Sequence, residues 1–318
     1  MLLLLAACAS RAGPVVPAPG RGTEADTIAI AELARELSSD TLRGRGPWTR
    51  ENELVARRLA EELGRLGARP LFGDHLLVPF VTVRRPRDTV FNVVGVLPGR
   101  TGTIAGALVG ITAHFDHLGV GPPDSTGDSI YNGFLDAALP TAMVLDVAKR
   151  YARAPGDRPL LVMFFNLEEQ GLLGSKALVE RADAAPILSS LRLLVGVDAG
   201  SPAGEAIQWQ LMGALPSHPG ARIAESLARA RGWTTTATAA RPISDVFQFA
   251  ERGVPVLFPI PGATWRGHTE AQRSEAMREF DHYHQPADEW RDDFPLLGTA
   301  HFADWLWAIV DAATNSPD

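Results

Sequence analysis

Three apolar runs in this chain end in residues that can hold a metal ion or move a proton. Residues 107–113 (ALVGITA) lead into His114-Phe115-Asp116-His117. Residues 159–165 (PLLVMFF) lead into Asn166-Leu167-Glu168-Glu169, and residues 193–197 (LLVGV) lead into Asp198. Unpaired carboxylates at the ends of buried strands are costly unless something offsets their charge. A metal ion does so, and borderline metals such as zinc take imidazole nitrogen together with carboxylate oxygen. His114 could ligate through one ring nitrogen. Asp116 could orient that ring or ligate directly, since a ligating histidine hands its other N–H to a carboxylate or carbonyl. Of the Glu168-Glu169 pair, one could ligate while the other faces a water as general base. The chemistry is that of metal-assisted hydrolysis. His117, His218, His268, His282 and His301 read as ordinary surface or capping histidines, since most histidines are neither catalytic nor metal-bound.

Positioning these groups takes an α/β scaffold. Helical spacing runs over 26–38, 50–66 (Leu54, Ala56, Leu59, Leu63, Leu66), about 140–153, from Leu172, over 219–231 and over about 299–313. Strand-like runs fall at 76–83, 90–97, 107–113, 159–165, 193–197 and 254–260. Continuous apolar strands alternating with helices imply one α/β domain, its mostly parallel central sheet covered by helices on both faces. In such sheets ligands bind beyond the carboxyl ends of the strands, where His114, the glutamate pair and Asp198 fall. Residues 261–281 form a long polar segment, readable as a lid or specificity loop or as a plain surface excursion with a short helix. Trp265 is its conspicuous residue. Trp305 and Trp307 on the last helix read as packing.

Composition narrows the class. The chain has 318 residues, 46% hydrophobic and 21% charged, the profile of a folded globular protein. The formal charge is −7, and the 30 basic residues, of which only Lys149 and Lys176 are lysines, form no block. That argues against a nucleic-acid partner. Cys8 is the only cysteine, so no internal disulfide can form. It closes the run MLLLLAAC, and Leu5-Ala6-Ala7-Cys8 resembles a bacterial lipobox. Residues 1–25 are therefore expected to be a signal or lipoprotein-like N-terminus with a flexible tether, and 26–318 a single folded domain. The expected product is exported, a periplasmic or cell-envelope lipoprotein with a possible membrane tether through lipidated Cys8. Oligomeric state is not legible.

From about Leu37 onward the chain resembles metallopeptidase family twenty-eight, the dinuclear zinc aminopeptidases of the bacterial leucyl aminopeptidase type. The resemblance is carried, in order, by LSSDTLRGRGPWT (37–49), ITAHFDHLGVG, DSIYNGFLDAA, FFNLEEQGLLGS, LLVGVDAGS, ISDVFQFAERGVPVLF and HYHQPADEW. It implies a zinc aminopeptidase-like sandwich holding two zinc ions per chain. His114 and Asp198 would hold one zinc, Glu169 and His284 the other, and Asp136 would bridge them. Glu168 would be the general base, Asp116 would orient His114, and Tyr283 would hydrogen-bond the tetrahedral oxyanion. The substrates would be peptides, shortened from the N-terminus. The H-Q-P-x-D pattern favours His284 over His282 as the last ligand.

The chain departs from the family at two places. The usual N-G-x-x-D-N-x-S-G reads Asn132-Gly133-Phe134-Leu135-Asp136-Ala137-Ala138-Leu139-Pro140 here, and the usual S-D-H reads Ser244-Asp245-Val246. The family peptide after the bridging aspartate is commonly cis, and Pro140 suits the first turn of a following helix. Two other readings share the fold: a glutaminyl cyclase-like transferase working with one zinc, and a catalytically dead binding domain.

Overall fold

In the computed structural model, which describes residues 25–201, 203–214 and 218–316, the apolar runs of the sequence are strands of a sheet. Cys8 and the expected leader lie outside the described residues. The chain enters at helix α1 (Thr27–Leu37), capped by Asp26, and α2 (Arg50–Arg65), capped by the Thr49 hydroxyl. The strands follow as β1 (Leu77–Thr82), β2 (Arg85–Leu97) and β3 (Leu108–His114), then a small hairpin of β4 (Gly119–Val120) and β5 (Ile130–Tyr131). Next are α3 (Leu139–Arg153), β6 (Leu160–Phe165), α4 (Leu173–Val179), α5 (Ala185–Ser190) and β7 (Leu191–Gly196). The last third holds β8 (Gln208–Met212), α6 (Pro219–Ala230), β9 (Thr234–Thr238), α7 (Val246–Ala250), β10 (Val256–Pro261), α8 (Glu270–Ala276) and α9 (Leu296–Asn315).

Among the described residues the main sheet has eight strands in the order β1-β2-β6-β3-β7-β10-β8-β9. The central four, β6, β3, β7 and β10, are mutually parallel. β2 runs antiparallel to both β6 and β1, and β8 runs antiparallel to β10. Sheet burial on both faces explains why the central strands read as unbroken apolar runs. In β6, Leu160, Val162 and Phe164 enter one core and Leu161, Met163 and Phe165 the other. α1, α2, α3, α6 and α9 cover the first face, and α4 and α7 the second.

Strands β8 and β9 of the main sheet, the β4-β5 hairpin and the short helices α5 and α7 went unread in the sequence. β8 is a short QWQLM segment in which Trp209, Leu211 and Met212 are buried between polar glutamines. β9 is TTTAT, an edge strand with no buried apolar residue. Helix α7 is only five residues long, too short to show a period. Trp305 and Trp307 are packing residues as expected: the Trp305 ring meets Trp209 and Trp233 edge-on at 5.0 and 5.3 Å. The segment 261–281 is a helical excursion held down at Trp265, which is 1% exposed and donates its indole N–H to the Ser201 hydroxyl at 3.2 Å. Its short helix α8 starts with a Thr269/Gln272 capping box.

Candidate metal centre

Strands β6, β3 and β7 are neighbours and parallel, so their carboxyl ends open on one edge of the sheet. There the structure gathers His114, Asp116, Glu168, Glu169 and Asp198. Two loops complete the cluster. The kinked segment Phe134–Ala138, just before α3, delivers Asp136, and its Asp136–Ala137 peptide is cis. The loop between α8 and α9 delivers His284.

The donor atoms meet in two groups. His114 Nε2 lies 2.8 Å from Asp198 Oδ1 and 3.0 Å from Asp136 Oδ1. His284 Nε2 lies 3.2 Å from Asp136 Oδ2 and 3.0 Å from Glu169 Oε2. The two oxygens of Asp136 thus face different imidazoles. His114, Asp136 and Asp198 offer ligand atoms all within 4.8 Å of one another, and so do His117, Asp136 and Glu169. Several of these atoms are buried without a hydrogen-bond partner, including His284 Nε2 and Glu169 Oε1. A mixed nitrogen and oxygen donor set with orphaned buried atoms fits a divalent metal such as zinc. His282 stays outside, 3.7 Å from Glu279 and part exposed.

Backbone hydrogen bonds hold the loops. The Asp116 carboxylate accepts the amides of Glu168 (3.1 Å) and Glu169 (3.3 Å). Its contact with His114 Nδ1 is 3.6 Å, too long for a hydrogen bond, whereas the Asp116 main-chain oxygen sits 3.2 Å from that nitrogen. Asp116 therefore touches His114 mainly through its carbonyl, while its side chain ties down the glutamate pair. Asp288 does the same for the bridging segment, accepting the amides of Leu135 (2.9 Å) and Asp136 (3.2 Å). Behind the glutamates, Asn52 and Asn166 exchange side-chain amide bonds at 2.9 and 2.8 Å. The Asn166 side chain also accepts the amide of Leu167, whose φ is +56°. A left-handed leucine is uncommon, and here it turns the chain so that the two glutamates leave the strand end. The departures from the family pattern fall on apolar packing: Ala137 and Leu139 are fully buried, and Pro140 opens α3.

The prediction for His117 is corrected. It is neither a surface nor a capping residue: it is fully buried, with Nδ1 2.7 Å from Glu169 Oε1 and its ring 5.7 Å from that of His284. His218 does cap α6, accepting the Gly220 amide. Tyr283 is 59% exposed and stacks on the His284 ring at 3.8 Å.

Arg45, inside the quoted segment 37–49, was not singled out from the sequence. It is fully buried and donates to four carbonyls: Phe115 (2.8 Å), Leu37 (2.6 Å), Asn132 (2.6 Å) and Gly133 (2.8 Å). It thus joins the segment after β3 to the segment before Asp136. Burial pulls its guanidinium down to about 10, opposed by Asp288, Asp116, Asp136 and Glu169.

The site carries more negative charge than the side chains offset. Burial, with Asp198, Asp245 and Asp116 adding to it against the pull of His114, pushes Glu168 up to about 10. Asp245 is pushed up to about 7 and Asp288 to about 6, burial being the main cause for both. Burial opposes ionisation of Asp136 too, but the His114 and His284 imidazoles hold it well below the usual carboxylate range. His284, despite burial, is pushed up to about 10 by Asp136 and Glu169.

An α/β sheet whose parallel strand ends converge imidazoles and carboxylates on two adjoining sites is the architecture of a metallohydrolase. Residues 92–310 match Peptidase family M28, and the chain belongs to that family. Family membership supports a hydrolase of the metallopeptidase class, and the mixed imidazole and carboxylate donor set fits zinc. Among similar solved structures is BSAP, a zinc aminopeptidase from Bacillus subtilis, with TM-score 0.70 and 14% identity over 93% of this chain and 97% of that one. The LapA aminopeptidase of Legionella pneumophila aligns with TM-score 0.67 and 15% identity, over 92% of this chain and 71% of that one. The Porphyromonas gingivalis glutaminyl cyclase aligns with TM-score 0.68 and 13% identity, over 92% and 100%. At these identities the likeness is one of fold. No curated protein matches the sequence.

Two predictions follow from this geometry. Arg45→Ala leaves buried carbonyls unpaired and should lower the stability of the metal-free protein by ~3–5 kcal/mol in denaturant unfolding. Arg45→Lys should recover little, because one ammonium cannot reproduce the fork. The second concerns pH. Glu168 binds its proton more tightly folded (about 10) than at the ordinary glutamate value of 4.5. Between those values the unfolded chain gives up this proton first, so the stability of the metal-free protein falls as pH rises. Glu168→Gln removes that penalty. Its Tm in chelator should exceed wild type, with a gap that is small near pH 5 and widens through pH 9; equal gaps at both would refute the assignment.

Proposed function

We propose that this chain is a dinuclear zinc aminopeptidase that removes N-terminal residues from peptides. The observation that carries the reading is the bridging pose of Asp136, with one oxygen toward His114 and the other toward His284. His114 and Asp198 would hold one zinc, Glu169 and His284 the other, and Asp136 both. When bound, such a pair polarises the scissile carbonyl and lowers the pKa of water.

The chain's own residues supply the rest. Glu168 stands at the strand end beside the cluster without being needed as a ligand, which frees it to take a proton from the attacking water and pass it to the leaving amine. Its high pKa in the metal-free protein comes from burial among carboxylates. Positive charge at the site brings it back toward the working range. Asp116 holds Glu168 and Glu169 by their amides, which fixes the base relative to the ligands. Tyr283, stacked on His284, keeps its proton because partial burial and the nearby carboxylates raise its phenol. It can then donate to the oxyanion as the tetrahedral centre forms. The expected setting is the cell envelope, with Cys8 as the lipidated anchor; Cys8→Ala should release the protein from membranes, and unchanged membrane association would refute the anchor.

The test is mass spectrometry of a mixed peptide pool after incubation with zinc-loaded protein, with a chelated sample alongside. Chelator-sensitive ladders losing single N-terminal residues are expected. Glu168→Ala should reduce turnover by at least ~10²-fold while still binding metal. Ladders from the C-terminus would change the substrate class, and loss of ammonia from N-terminal Gln peptides would favour the cyclase reading of this fold. No change in any peptide would overturn the reading.

A further inference from the structure

The imidazole of His117 takes no part in the five-ligand set, yet it lies inside the centre. We infer that His117 is a sixth metal-binding side chain, ligating through Nδ1 the ion held by Glu169 and His284. This rests on the two-metal reading above and adds a residue to it.

The first observation is burial without a partner. His117 is fully buried, and neither of its ring nitrogens has a hydrogen-bond partner among the described residues. Burying two such groups unpaired is costly, and proteins seldom do it without a ligand or ion to relieve them.

The second observation is how Nδ1 approaches Glu169. The two atoms are 2.7 Å apart, but the carboxylate oxygen lies off the direction in which the ring nitrogen would donate, and neither atom counts as hydrogen-bonded. His284 Nε2 behaves the same way: 3.0 Å from Glu169 and 3.2 Å from Asp136, with no hydrogen bond. Close approach without mutual direction is what co-ligands of one ion show, because each lone pair points at the ion and not at its neighbour. Two ligands ~2.0–2.1 Å from a zinc ion, at angles between octahedral and tetrahedral, stand about 2.9–3.3 Å apart. The distances around Glu169 scatter about that range. His114 differs, since its Nδ1 has the Asp116 main-chain oxygen as partner at 3.2 Å and its Nε2 is hydrogen-bonded to Asp198 Oδ1 at 2.8 Å.

The third observation is that the ring is held in place. His117 packs against Gly133, where an added Cβ would fall 2.4 Å from the imidazole Cγ, and Gly133 has φ +59°. Its amide donates to the Arg45 carbonyl at 3.4 Å. The ring therefore has little room to turn away from Glu169.

With His117 added, four protein side chains surround the second ion: His117, Asp136, Glu169 and His284. A zinc ion with four protein ligands is closed, while one with three keeps a position for water or substrate. The two ions would then differ in kind. The one on His114, Asp136 and Asp198 stays open, and the one beside His117 is more tightly held.

The experiment is 113Cd NMR on full-length protein labelled with 15N-histidine and loaded with two equivalents of cadmium. Three imidazoles are expected to show one-bond coupling to cadmium, one of them through Nδ1 and absent in His117→Asn. In a chelator competition with zinc, His117→Asn should weaken one of the two ions by at least ~100-fold and leave the other unchanged. Two ions bound with only two coupled imidazoles in the wild-type protein would overturn the inference and leave the two-metal reading standing. That result needs no variant, so misfolding of His117→Asn cannot obscure it. Failure to bind any cadmium would overturn both.

Discussion

Negative charge gathered out of water is the constraint on which this structure turns. Asp116, Asp136, Glu168, Glu169, Asp198, Asp245 and Asp288 crowd one edge of a sheet whose central strands are otherwise apolar. No arrangement of side chains alone makes that comfortable. The protein answers in three ways. Some carboxylates spend their lone pairs on backbone amides, as Asp116 and Asp288 do. A single arginine is buried beside them and saturated with carbonyls. What remains converges with imidazoles into two ligand groups, which calls for cations. The raised pKa of Glu168 comes from the same imbalance.

These answers are mechanically linked. Arg45 ties the chain after β3 to the chain before Asp136, Asp116 ties that same stretch to the glutamates after β6, and Asp288 ties the last loop back to Asp136. Each ligand-bearing segment is fixed by a group that belongs to another. The geometry of the centre is therefore a property of the whole sheet edge and not of any one loop. Substitutions such as Ala137 and Leu139 are accommodated because the segment's amides are held from outside it, by Asp288.

Much of this was legible in the sequence because the period and polarity of the chain change sharply at the strand ends. An apolar run that stops at His, Glu or Asp marks both a buried parallel strand and its functional end, and family resemblance located Asp136 and His284 on loops that no periodicity marks. What escaped notice depended on three-dimensional pairing. β9 is polar and lies at an edge, so nothing in TTTAT announces a strand until β8 is beside it. His117 looks like any histidine in a turn until its burial is seen, although its place three residues after His114 on the same strand end was a hint. Arg45 and the Asp116 carboxylate do their positioning through backbone groups, which a sequence does not display.

The bond between the Asp288 carboxylate and the amide of Asp136 spans 152 positions of the chain. Every candidate ligand except His284 lies between 114 and 198. The bridging aspartate is clasped, and His284 delivered, only when the segment around Asp288 has docked. Without that docked segment, most of the candidate ligands would be present but the Asp136 amide would be unclasped and the group incomplete.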